Sequence, residues 1–142
     1  MQMTFNRPPF AKALVNGASP KKPIEWSHIA HLPIQYHVAL EDVVSGRSDE
    51  SSRMDLATLF NFMFAAKERK VIEDDGLLHG ALQELGKAFR RTDDGKPFRL
   101  SGAGLQAMRD LVTAFEDVAR SISARDYMKT CNFVWNELMR NK

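Results

Sequence analysis

Four histidines, one cysteine and a scatter of carboxylates are the residues of this 142-residue chain that could do chemistry. Glu25 and His28 stand three apart, His31 follows three later, and Asp75 precedes His79 by four. Residues at those spacings share a helical face, so each pair could offer an oxygen and a nitrogen to one metal ion. A carboxylate-bridged two-metal bundle needs Glu-x-x-His from two helices and two more glutamates. "EWSH" at 25–28 is the single copy here, and no Cys/His set has zinc spacing. A metal-dependent enzyme built on His28, His31 and His79 is therefore the least favoured of three readings, and no metal or cofactor is expected.

Nucleophilic chemistry has equally little to stand on. Cys131 lies on an apolar stripe, where a thiol is usually inert, and no serine sits in a Gly-x-Ser-x-Gly elbow. "SGAG" at 101–104 lacks the lysine and spacing of a phosphate loop and reads as a helix entrance. No catalytic residue is assigned, and an enzyme is not expected.

Charge gives the second reading. Residues 1–24 carry Arg7, Lys12, Lys21 and Lys22 with no acid, and four of the six prolines, which disfavour regular structure. Of the 20 basic residues, the other sixteen stand against all 18 acids in residues 25–142, so the domain itself is slightly acidic. The leader could grip phosphates together with the Lys87, Arg90, Arg91, Lys96 and Arg99 cluster, as a nucleic-acid-associated regulator would. A folded reader of nucleic acid, however, should carry its footprint on the domain. The loop between the cluster's two helices, about nine residues, is also too long for a helix-turn-helix.

The elements that would position these groups are helical, so the fold expected is all-α: about five helices in a compact antiparallel bundle behind an extended leader. Two units follow, a basic, disordered or loosely draped leader over 1–24 and a helical bundle domain over 25–142. Pro33 suits the first helical position of a helix over 33–45 with Tyr36, Leu40, Val43 and Val44 on one face and Gly46 as its stop, after a short turn near Trp26 and Ile29. Ser52 and Asp55 match a capping box that opens a second helix over 52–70. There Leu56, Leu59, Phe60, Phe62, Met63 and Phe64 cover an arc of roughly 200°. So wide an arc is the central helix of a bundle or a helix with a face for a partner.

A third helix is expected over 77–91 from the stripe Leu78, Leu82, Leu85 and Phe89, after the acidic start Glu73, Asp74 and Asp75. The loop that follows leads to a fourth over 102–121, with Leu105, Met108, Val112, Phe115, Ala119 and Ile122 inward and a solvated polar face of Arg109, Asp110, Glu116, Asp117 and Arg120. Ser123 and Asp126 cap a fifth, running through Met139 with Tyr127, Cys131, Val134, Trp135 and Leu138 inward. The short junction between the last two predicts antiparallel neighbours. Phe133 falls off that stripe, among Lys129, Glu137 and Arg140, as a surface aromatic or part of a contact surface.

No stretch is apolar enough to span a membrane or to serve as a secretory signal, and a lone cysteine cannot form an internal disulfide, so a cytoplasmic protein is expected. The stretches "LPIQYHVALEDVVSG", "SSRMDLATLFNFM" and "GLQAMRDLVTAFEDVARSISARDYMKTCNFVWNEL" resemble small helical proteins carried by proteobacterial plasmids, phages and their remnants, over roughly residues 32–139. The resemblance implies a mobile-element setting and brings no catalytic residue with it. The leading expectation is a non-enzymatic interaction protein that binds and occludes a protein partner, host or rival machinery or a second copy of itself as a homodimer. Its candidate surface is Phe60, Phe62, Phe64 and Phe133.

Overall fold

The computed structural model describes residues 19–73 and 76–140, with the backbone alone at Leu77. The leader positions Arg7 and Lys12, and the acids Asp74 and Asp75, lie outside the described residues. A single turn α1 (Trp26–Ile29) leads into five long helices: α2 (His31–Val44), α3 (Glu50–Glu68), α4 (Leu77–Asp93), α5 (Gly102–Ser121) and α6 (Ala124–Arg140). No strand occurs among the described residues, and the stretch between α4 and α5 is a loop.

Local chemistry sets the helix boundaries. α2 begins two residues before Pro33, because α1 feeds directly into it; Pro33 sits in the first turn, where its missing N–H would have had no intrahelical partner. α3 is capped by Asp49 and not by Ser52: the Asp49 carboxylate accepts from the Ser52 N–H at 2.9 Å. The buried Ser52 hydroxyl lies 3.1 Å from both Asp49 Oδ1 and Asp42 Oδ2, and its one proton ties α3 back to the end of α2. These bonds, the backbone one first, hold the Asp49 carboxyl below the usual carboxylate range. At α5, Ser101 Oγ accepts from the Gly104 N–H at 2.9 Å, and at α6 Ser123 Oγ accepts from the Asp126 N–H at 3.1 Å.

The ends of α2, α3 and α4 share one device. After α2, the N–H of Gly46 bonds the Val43 carbonyl and that of Arg47 bonds the Asp42 carbonyl, the paired closure that needs a left-handed residue. Gly46 supplies it at φ 72°, and Gly95 does the same after α4 at φ 77°. After α3 the same two bonds run from Lys70 to Lys67 and from Val71 to Ala66, with Lys70 itself left-handed at φ 61°.

α3 is the central helix, packed against α2, α4, α5 and α6. α5 packs against α4 and α2, closing one side of the molecule. Phe62 lies at the middle of the core, edge-on to Phe115 of α5 at 5.4 Å and 5.0 Å from Tyr127 of α6, while Tyr36 of α2 meets Phe115 at 5.3 Å. Burying each such ring contributes about 1.5–3 kcal/mol, so four helices converge on one aromatic cluster.

Three expectations about packing are corrected. α6 does not lie against α5 despite the short junction: its main neighbour is α3. The aromatic cluster and the Arg69 side chain seat it there, with Arg69 Nη1 donating to Thr130 Oγ1 at 2.8 Å. Nor is the polar face of α5 simply solvated. Arg109 reaches Glu41 at 3.5 Å, Glu116 lies 3.9 Å from His37, and the Arg120 guanidinium stands 3.7 Å over the Trp26 ring. Val44, placed on the inner face by its spacing, is 54% exposed because α2 ends before a neighbour can cover it.

The boundary drawn at residue 24 runs through a segment that joins the domain. Ile24 is buried in the core, and the carbonyls of Lys22 and Pro20 accept the free N–H groups of Ala124 and Arg125 at the start of α6.

Candidate functional site

A groove of about 1210 Å³ runs over α3 between α4 and α6. α3 lends Phe60, Asn61, Phe64, Ala65 and Glu68, α4 lends Leu82, Gln83, Gly86, Lys87 and Arg90, and α6 lends Phe133, Val134, Glu137 and Leu138. The groove exists because both walls lean on α3 and scarcely on each other. A central helix with an apolar arc wider than its neighbours can cover leaves part of that arc open.

Of the four aromatic positions proposed as a contact surface, three come together here. Phe60 is almost wholly covered and forms the floor, with Phe64 stacked on it at 6.1 Å between ring centres. Phe64 is 39% exposed, and Phe133 on the opposite wall is half-buried. Phe62 is not part of the groove. It lies about 160° around the helix from Phe60 and belongs to the core, which corrects its place in that set. Leu82, expected on the inner stripe of α4, is instead 39% exposed on the groove wall, because Ala81, Leu85 and Ala88 make the buried face.

The basic cluster is divided by the fold. Lys87 and Arg90 line the groove, Arg91 donates from Nε to the Pro97 carbonyl at 3.2 Å, and Lys96 is exposed in the loop. Arg99 lines a second, smaller hollow of about 550 Å³ with Val44, Gly46 and Leu105. Glu68 and Glu137 enter the same groove as Lys87 and Arg90, so its lining is of mixed charge. Lys21 and Lys22 are exposed at the start of α6.

The ionisable side chains that line the groove are Glu68, Lys87, Arg90 and Glu137. Elsewhere, among the described residues no group of three His, Cys, Asp or Glu side chains is placed to hold a metal ion. His28, His31, His37 and His79 are all exposed. The buried ionisable groups form a neutral cluster in the core: burial pushes the Cys131 thiol up to about 12, and burial first, then the neighbouring Cys131, raises the phenols of Tyr36 and Tyr127. A thiol held that strongly protonated and covered is a poor nucleophile. Among the described residues no helix is long and apolar enough to cross a membrane.

No protein-family model, curated protein or solved structure matches the chain. The groove has to be read from its own chemistry.

Proposed function

We propose that this protein is a non-enzymatic interaction module whose groove between α3, α4 and α6 receives a helix of a protein partner and thereby blocks that partner's other contacts. The observation that carries the reading is the convergence of Phe60, Phe64, Leu82, Phe133 and Leu138 from three helices on one open channel. A helix two turns long, about 11 Å by 10 Å, fills roughly 850 Å³, so the space is of the size that a helical segment needs. Partly exposed aromatic and leucine side chains in a concavity, flanked by charges at the rim, are the features of a helix-in-groove receptor. In a mobile-element setting, a module of this kind would act by occlusion in the bacterial cytoplasm. A nucleic-acid role has less support, since acids share the groove and the basic residues are dispersed.

The test is selection of helical peptides from a displayed library on the purified full chain, with Phe133→Asp and Phe64→Asp as counter-targets. Amphipathic peptides that bind the wild type and lose at least tenfold in affinity for both variants support the reading. Recovery of no binder, or of binders indifferent to both substitutions, overturns it.

A further inference from the structure

The two flanks of the groove carry opposite charge: Lys87 and Arg90 on α4, Glu137 on α6. We propose that the groove is covered by a second copy of this chain, docked wall to wall through a two-fold axis that runs along the groove. The inference rests on the groove being a docking surface and names what docks there.

The argument is one of symmetry. Rotation by 180° about an axis lying along the groove brings the α4 wall of one copy over the α6 wall of the other, and the reverse contact follows automatically. Each basic wall then meets an acidic wall, twice per dimer, while Phe64, Leu82 and Phe133 of both copies turn toward the axis. The present partners of these charges do not oppose the exchange. Lys87 lies 3.4 Å from Glu84 and Glu137 lies 3.1 Å from Arg140, both i,i+3 pairs at the helix surface, a class that contributes little. α6 is also the long helix with one main helical neighbour, so a second copy supplies the packing that its groove flank lacks. Phe64 and Leu82, each 39% exposed, are apolar groups that such a contact covers.

The symmetry permits a decisive arrangement of variants. Glu137→Lys makes both walls basic, and Lys87→Glu combined with Arg90→Glu makes both walls acidic, so neither variant can pair with itself. Mixed, the two restore opposite charge at both contacts. The experiment is size-exclusion chromatography with light scattering on the full chain at low ionic strength, from low to high micromolar concentration. The wild type is expected at twice 16.1 kDa, each variant at 16.1 kDa with unchanged helicity, and the equimolar mixture again at the doubled mass.

A wild type that stays monomeric throughout overturns the proposal, as does a dimer indifferent to these charges. A monomer that still takes up the selected helical peptides leaves the groove a docking surface with a different occupant. A monomer that binds none removes both readings. Recovery in the mixture cannot be produced by variants that have failed to fold.

Discussion

The guanidinium of Arg69, just past the end of α3, donates to Thr130 Oγ1 at 2.8 Å and to the Asp126 carbonyl at 3.0 Å on the first turns of α6. The fully buried Thr130 hydroxyl donates in turn to that same carbonyl at 2.7 Å, so three polar groups are satisfied at one helix junction. Because α6 rests chiefly on α3, this junction fixes how far the α6 wall stands from the α4 wall. Arg69→Met keeps most of the aliphatic stem and removes the donors. It should cost about 1–3 kcal/mol, read as a lower urea midpoint. An unchanged midpoint would mean that the Phe62–Tyr127 contact alone seats α6.

Lys70 closes α3 in a left-handed conformation that costs a residue with a Cβ about 1 kcal/mol. Gly46 and Gly95 fill the equivalent place after α2 and α4. Lys70→Gly should therefore raise stability by about 0.5–1 kcal/mol in thermal or urea unfolding. A loss would show that the Lys70 side chain makes a compensating contact.

Gly104 and Gly80 should respond to alanine in opposite directions. A Cβ at Gly104 would stand 3.0 Å from Glu84 Cβ, an atom fixed by the α4 backbone, and 3.0 Å from Glu84 Oε2, which accepts from Ser101 Oγ. Gly104→Ala should cost about 1–3 kcal/mol through overpacking where α4 crosses α5. A Cβ at Gly80 meets nothing within 4 Å, so Gly80→Ala should stabilise α4 by about 0.5–1 kcal/mol. Equal effects at both sites would refute the close crossing.

What the sequence disclosed, and what it withheld, follows from the range of the interactions. Gly46, Ser101 and the Ser123–Asp126 pair were legible as helix ends because a cap is made within four residues of itself. Asp49 was missed in favour of Ser52 because both belong to types that cap, and only the real chain path decides between them. The wide arc on α3 correctly marked a central helix. It could not say that Phe62 faces Phe115 while Phe64 faces an open channel, since that depends on where α6 lies. The groove was legible as three of its aromatics and not as a place: Leu82 and the opposed Lys87 and Glu137 become neighbours through tertiary packing alone.

Phe62 and Phe133 separate core from groove in one experiment. Phe62→Ala removes a ring buried against Phe115 and Tyr127 and should cost about 3–5 kcal/mol. Phe133→Ala trims a half-buried ring on an open wall and should cost about 1 kcal/mol or less while weakening peptide uptake or self-association. A large stability loss at Phe133 would assign that ring to the core and close the groove as a docking surface.

Alkaline pH should weaken the fold through the buried cluster around Cys131. Burial holds its thiol neutral up to about 12, whereas in the unfolded chain a thiol ionises near pH 8.5. The folded state therefore binds this proton more tightly than the unfolded state. Its stabilising contribution is fully present below about pH 8.5 and is lost as pH climbs toward the folded value, at up to about 1.4 kcal/mol per pH unit. The raised phenols of Tyr36 and Tyr127 act in the same direction and begin to do so near pH 10, where an unfolded tyrosine ionises. Urea melts across neutral and alkaline pH should show a plateau, then a decline from about pH 8.5. Cys131→Ala should lower the plateau by about 1–2 kcal/mol through the small cavity it leaves, yet delay the decline until the phenols titrate. Parallel profiles for the two proteins would exclude the thiol as the source of alkaline instability and leave the tyrosines as the groups to substitute next.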